Sequence, residues 1–195
     1  MDIVKLQILG SPRSGTTSLY EGFRDCLNYS LGIFEPINPE WNYKIFPQKI
    51  QTHLDIINNC SINVIEKNVL IDFDLDKTFN FYINYLSHFD KIIFLCRKNI
   101  KEQAKSLKIS SITNNWHFPY KDINVEYNEV LSVLNTQNQL LLKLSKYFKI
   151  PITYYEDLYS NNLEYIDNFL KYYNIKLNNL NSFYNKLNPK YRLKQ

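Results

Sequence analysis

Nine residues, Leu9-Gly10-Ser11-Pro12-Arg13-Ser14-Gly15-Thr16-Thr17, restrict this chain more than any other stretch, because an apolar run enters them and an amphipathic run leaves them. Residues 3–9 are β-branched and apolar enough for a buried strand, while Leu19, Phe23, Cys26 and Leu27 recur at helical spacing just after the loop. A strand-to-helix turn is therefore predicted. The first N–H groups of a helix have no intrahelical partner and lie at the positive end of its dipole, so such a turn is an anion site. Gly10 and Gly15 allow the unusual backbone angles and close ligand approach that the turn needs.

The spacing Gly10-x-x-x-x-Gly15 is that of a nucleotide-binding P-loop, but that motif continues with Lys and then Ser or Thr, whereas this chain has Thr16-Thr17. The cation stands inside the loop instead, at Arg13, whose planar guanidinium suits two oxygens of a phosphate or sulfate group. A Gly/Pro/Ser turn without a ligand is the plainer alternative. The agreement of strand, loop, basic residue and helix favours the anion site.

A chain of 195 residues can bury one sizeable core, and no Pro/Gly/Ser-rich linker or charge block divides it, so a single domain over 1–195 is expected. The balance of 23 basic to 19 acidic residues gives a formal charge of +4, which fits an anionic small molecule. Aromatic residues are numerous but form no basic-aromatic stripe, which argues against a nucleic-acid partner. Cys26, Cys60 and Cys96 lack metal-ligand or redox spacing, and no apolar run is long enough to cross a bilayer. With no signal-like segment at the start, a reducing cytoplasm and no membrane partner are expected.

Four short strands are predicted at 3–9, 62–65, 91–96 and 151–155, alternating with helices, including one near 50–57, one over 99–110, a long one over 130–148 and one over 163–173. This alternation indicates a three-layer α/β fold with a mainly parallel sheet and a phosphate-binding loop after the first strand. Residues 32–39, with one glycine and two prolines, are expected to form a loop carrying Glu35. Glu35 has two readings: an exposed loop glutamate, or a carboxylate desolvated between Phe34 and Pro36 whose proton affinity rises as a general base requires. His53 is read as a surface or packing histidine. Lys67 is placed at a strand's carboxyl end, where open α/β sheets bind ligands, and is either a ligand contact or a solvated lysine.

Asp72, Asp74 and Asp76 alternate, but Phe73 and Leu75 between them and the lack of a following Gly and distal Glu argue against a calcium loop. Arg97 follows the clearest buried strand at the sheet's carboxyl edge, with Ser106 more than two turns further on the next helix, and the two are read either as facing a ligand in the cleft or as an arginine capping the sheet edge and an ordinary helix serine. Trp116 and His117 fall in a loop over 113–120, near an acceptor or in a packed hinge. Tyr155-Glu156-Asp157-Leu158 is read as a structural joint, and residues 184–195, with Lys186, Lys190, Arg192 and Lys194, as a solvated basic tail.

The stretch LGSPRSGTTSLYEGF resembles the 5′-phosphosulfate loop of sulfotransferases that use 3′-phosphoadenosine 5′-phosphosulfate (PAPS). FLCRKNIKEQAKSL is similar to that family's 3′-phosphate motif, closest to the bacterial trehalose enzymes, and Tyr155-Glu156-Asp157-Leu158 to a segment common in the family. Phe34-Glu35-Pro36 after the loop is similar to the N-acetylglucosamine 6-O-sulfotransferases. The cytosolic enzymes' Lys-Thr-His corresponds here to Lys67-Asn68-Val69, without the histidine base. The resemblance implies that Arg13, Ser14, Gly15, Thr16, Thr17 and Ser18 hold the 5′ end of PAPS and that Arg97 and Ser106 hold its 3′-phosphate. It further implies that Glu35 deprotonates an acceptor hydroxyl, that Arg13 stabilises charge during transfer, and that no metal takes part. A small P-loop kinase using ATP-Mg²⁺ and a non-catalytic nucleotide-binding protein remain the other classes.

Overall fold

A computed structural model of the protein describes residues 3–27, 30–37, 46–70, 75–113, 127–160 and 162–187. Its centre is a five-stranded, all-parallel sheet flanked by helices on both faces, a three-layer α/β fold. The strands are β1 (Lys5–Gly10), β2 (Ser30–Phe34), β3 (Asn63–Val69), β4 (Lys91–Cys96) and β5 (Ile152–Tyr154), in spatial order β2-β3-β1-β4-β5. The expected loop over 32–39 therefore begins as a strand. Among the described residues β2 pairs only with β3, from Ser30 opposite Asn63 to Phe34 opposite Lys67, and Pro36 falls beyond its end. An edge strand tolerates Gly32, and the Tyr20 hydroxyl closes to 2.5 Å of where a Cβ would stand there.

The helices are α1 (Thr16–Cys26), α2 (Phe46–Asn59), α3 (Leu75–Leu86), α4 (Ile100–Thr113), α5 (Tyr127–Phe148), α6 (Tyr155–Leu158), α7 (Leu163–Tyr172) and α8 (Leu180–Leu187). Alternation along β1 sends Leu6 and Ile8 to one face and Leu9 to the other. On the first face they meet Leu19 and Phe23 of α1, Phe169 of α7 and Phe183 of α8. On the second, Leu9 meets Ile57 of α2, Tyr82 and Leu86 of α3, and Leu141 and Leu144 of α5. Because both faces are covered, β1 and β4 are apolar almost throughout, as parallel strands must be. α4 packs on α5 through Ala104, Val130 and Leu134.

β3 is longer than its predicted four residues, because Glu66, Lys67 and Asn68 continue the ladder beside β1, opposite Gln7, Ile8 and Leu9. α2 likewise extends beyond the predicted 50–57. The predicted basic tail is helical as far as Leu187: Phe183 and Leu187 are buried, and Lys186 pairs with Asp25 at 3.0 Å. Trp41, Asp72, Asp74, Trp116, His117, Lys190, Arg192 and Lys194 lie outside the described residues. Among the described residues no helix is long and apolar enough to cross a membrane.

The glycine-bounded loop after β1 leads into α1 and on to β2 at one edge of the sheet, while the connection from β4 leads toward β5 at the opposite edge. The carboxyl ends of β1 and β4 thus flank a switch in the chain's course, where open α/β sheets form their clefts. α8 belongs to the layer that holds α1: the Phe183 ring lies 4.9 Å from that of Phe23. We predict that Phe183→Ala destabilises the protein by about 3–5 kcal/mol in urea unfolding monitored by circular dichroism. A loss below about 1 kcal/mol would mean that α8 is not part of the cooperative core.

Candidate functional site

The turn from β1 to α1 is held in an uncommon backbone conformation. Arg13 and Gly15 have φ of 62° and 90°, both left-handed, and Ser14 N donates to Ser11 O at 3.2 Å to close the turn. Gly15 is the N-cap of α1, and among the described residues no side chain caps the helix, so its first amides face the loop. A Cβ on Gly10 would stand 2.5 Å from Ser14 Oγ and 2.7 Å from Leu95 O, which leaves glycine as the residue that fits. Ser14 is fully buried, and its hydroxyl has no hydrogen-bond partner among the described residues. Arg13 is exposed, Thr16 buried, and Thr17 and Ser18 are half-buried along the first helical turn.

Two candidate residues distant in sequence meet over this loop: Arg13 Nε donates to Ser106 Oγ at 3.1 Å. One turn earlier on α4, Gln103 Nε2 donates to Ser11 Oγ at 2.8 Å and to Pro12 O at 2.7 Å. Ser106 is thus bonded to Arg13 rather than to Arg97, its expected companion. Arg97 lies directly after β4 with its guanidinium 4.1 Å from the centre of the Tyr155 ring, and its buried Nε has no hydrogen-bond partner among the described residues.

The segment read as a joint is α6, and it connects the two loops. Tyr155 packs beside Gly15 as well as against Arg97, and the Tyr159 hydroxyl donates to Gly15 O at 2.7 Å. The Glu156 carboxylate accepts Lys98 N at 2.9 Å and Asn99 N at 3.1 Å, just before α4 begins. A carboxylate is favourable there for the same reason an anion is favourable at α1. Beside this corner a cavity of about 470 Å³ opens at the ends of β4 and β5, lined by Arg97, Lys98, Asn138, Leu141 and Tyr154. Burial pushes the neighbouring Cys96 thiol up to about 11, so it stays protonated near neutral pH.

Glu35 follows β2 with φ of 47° and only 8% of its surface exposed, and its N–H donates to Lys67 O at 2.7 Å. The exposed-loop reading is therefore overturned. Its carboxylate pairs with the Lys67 ammonium, which is also buried and lies 4.1 Å from the centre of the Phe34 ring. Lys67 sits inside β3 rather than at its end and is not solvated. Burial pushes its pKa down, opposed by the Glu35 charge. Glu66 points to the other side of β3, where its carboxylate accepts from Tyr85 Oη and from Asn68 Nδ2 at 2.6 Å and lies 2.7 Å from His53 Nε2. His53 is accordingly part of a buried polar cluster and not a surface residue. Burial and the Glu66 charge drive the Tyr85 hydroxyl far above its ordinary pKa. Asn68 Oδ1 also receives Ile37 N at 3.4 Å, two residues beyond Glu35.

Sequence reasoning did not find the roles of Gln103, Glu156, Tyr159 or the Lys67 side chain. One signal was present: Glu66-Lys67-Asn68 are consecutive polar residues between apolar ones, which a parallel strand covered on both faces accommodates only if they have partners. The fold and the loop define an α/β protein with a candidate anion site at the carboxyl edge of its sheet. Comparison with protein-family models finds no match, and no characterised protein matches the chain.

The Glu35–Lys67 pair also bears on stability. Glu35→Gln strands a buried ammonium, and we expect it to destabilise the protein by about 3–5 kcal/mol, with Lys67→Met in addition restoring most of the loss. Urea unfolding of wild type, both single variants and the double variant checks this; additive losses would mean the two side chains are not coupled.

Proposed function

We propose that the protein is a sulfotransferase that moves a sulfuryl group from PAPS to a hydroxyl of a carbohydrate or small metabolite. The observation that carries this reading is the loop itself. Its buried Ser14 hydroxyl has no partner among the described residues, and its cation is Arg13, tied to Ser106, with threonine where an ATP-binding loop has lysine.

A donor with anionic groups at both its 5′ and 3′ positions suits two separate cations, Arg13 on the loop and Arg97 beyond β4. Arg97 Nε, buried and without a hydrogen-bond partner among the described residues, fits such a ligand as the Ser14 hydroxyl does. The backbone amides of Gly15, Thr16 and Thr17, with the Thr16, Thr17 and Ser18 hydroxyls, complete the 5′ end, and Ser106 orients Arg13. When bound, PAPS supplies a sulfuryl group on a phosphate leaving group.

Glu35 takes the acceptor's proton. It leaves the sheet at the same carboxyl edge as the loop, one strand removed from β1, with Lys67 as its counter-charge. An oxygen base in hydrogen-bond reach of a hydroxyl contributes typically about 10²–10⁴-fold to its attack. Arg13 and the uncapped amides of α1 stabilise charge on the departing phosphate, so the scheme uses no metal.

Calorimetry tests the reading directly. 3′-Phosphoadenosine 5′-phosphate is expected to bind in the presence of chelator and more tightly than ATP-Mg²⁺. Arg97→Ala should weaken it by about 10- to 100-fold while leaving adenosine 5′-phosphate nearly unchanged, since about 1.5–3 kcal/mol attaches to a charge-assisted contact. Tighter, metal-dependent ATP binding would assign the loop to a kinase instead.

A further inference from the structure

We propose that Gln103 is a positioning residue for the anion loop, holding the turn at Arg13 in its binding conformation before any anion arrives. The inference rests on the reading of the loop as an anion site but not on the identity of the donor.

A non-glycine residue in the left-handed region costs about 1–3 kcal/mol and persists only where its surroundings over-determine it. At Arg13, φ is 62°, and a backbone hydrogen bond from Ser14 N to Ser11 O closes the loop. Further restraint comes from α4, beside the contacts that Tyr155 and Tyr159 make at Gly15. Gln103 is completely buried, and its amide nitrogen is committed to Ser11 Oγ and to Pro12 O, the carbonyl of the peptide that leads into Arg13. Ser106, three residues on and so on the same helix face, takes the Arg13 side chain. One face of α4 thus fixes the backbone before Arg13 and the direction of its guanidinium. The start of α4 is fixed in turn by Glu156.

The chemistry requires an amide at this position. Pro12 O is an acceptor without a proton, so a carboxylate of the same shape would face it with lone pairs, and leucine would leave it without its donor. Either change lets the loop relax, and the free energy of ordering it is then taken from ligand binding.

The test uses pyrophosphate as a probe of the loop, with 3′-phosphoadenosine 5′-phosphate and adenosine 5′-phosphate beside it, in calorimetry on the full chain. Gln103→Leu should lower pyrophosphate affinity by about tenfold or more, the loss of two neutral hydrogen bonds, and Gln103→Glu, which can still accept from the Ser11 hydroxyl but faces Pro12 O without a donor, should lower it as well. The ratio of affinities for the two adenosine ligands should stay within about twofold of wild type, because Arg97 is held by another corner of the fold. A folded Gln103→Leu protein with unchanged pyrophosphate affinity overturns the proposal, as does loss of that ratio together with the affinity, which marks general distortion. If Gln103→Leu does not fold, Ser11→Ala decides: it removes one of the two acceptors, and about a threefold loss is expected, an unchanged affinity being the contrary result. Wild-type protein that binds pyrophosphate but does not prefer the 3′-phosphorylated ligand would leave Gln103's role standing and remove the sulfotransferase donor. Wild-type protein that binds no pyrophosphate overturns the loop reading and this proposal with it.

Discussion

A parallel strand that runs straight into a helix has few residues in which to reverse its course, and here Gly10 to Thr16 do so with two left-handed positions. That conformation is unfavourable on its own, and it exists because three elements distant in sequence close on it. β4 presents Leu95 O beside Gly10, α4 supplies Gln103 and Ser106, and α6 with the residue after it packs Tyr155 and Tyr159 around Gly15. These contacts need β1 and β4 to be neighbours in the sheet and β5 to lie next to β4. The loop is local in sequence and wholly tertiary in its support.

The second constraint is electrostatic. β3 lies between β1 and β2 with helices on both faces, yet carries Glu66, Lys67 and Asn68 in succession. Alternation sends Lys67 to one side, where Glu35 neutralises it, and Glu66 and Asn68 to the other, where Tyr85 and His53 complete the network. Such groups do little for stability by comparison with an apolar strand. They stand at the carboxyl edge of the sheet, next to the strand that feeds the loop. Glu35 is held by its own positive φ, by its N–H to Lys67 O and by its ion pair, so its carboxylate has a defined position rather than that of a loop residue.

Much of this architecture was legible in the residues. The strand at Lys91–Cys96, the long helix over 130–148, which the structure extends back to Tyr127, and the strand-loop-helix around Gly10 were evident because their periodicity is unbroken over most of their length. β2 was not, because a short edge strand of five residues with a central glycine has the composition of a loop. α8 was hidden because a helix of eight residues has little signal of its own and is stabilised by packing on α1.

The sequence by itself determined the α/β class, the strand-to-helix turn with an arginine inside it, and the presence of Arg97 directly after a strand and Ser106 on the helix that follows, because these depend on periodicity and on residue type within short windows. Only the tertiary structure decided which side chains meet: Arg13 with Ser106, Glu35 with Lys67, Gln103 with the loop backbone, Tyr155 with Arg97. The physical reason is that strand order is not written in any local pattern. The chain runs from β1 to the sheet's edge, back through β3 and across to β4, and each of those pairings exists only once the layers on both faces have packed.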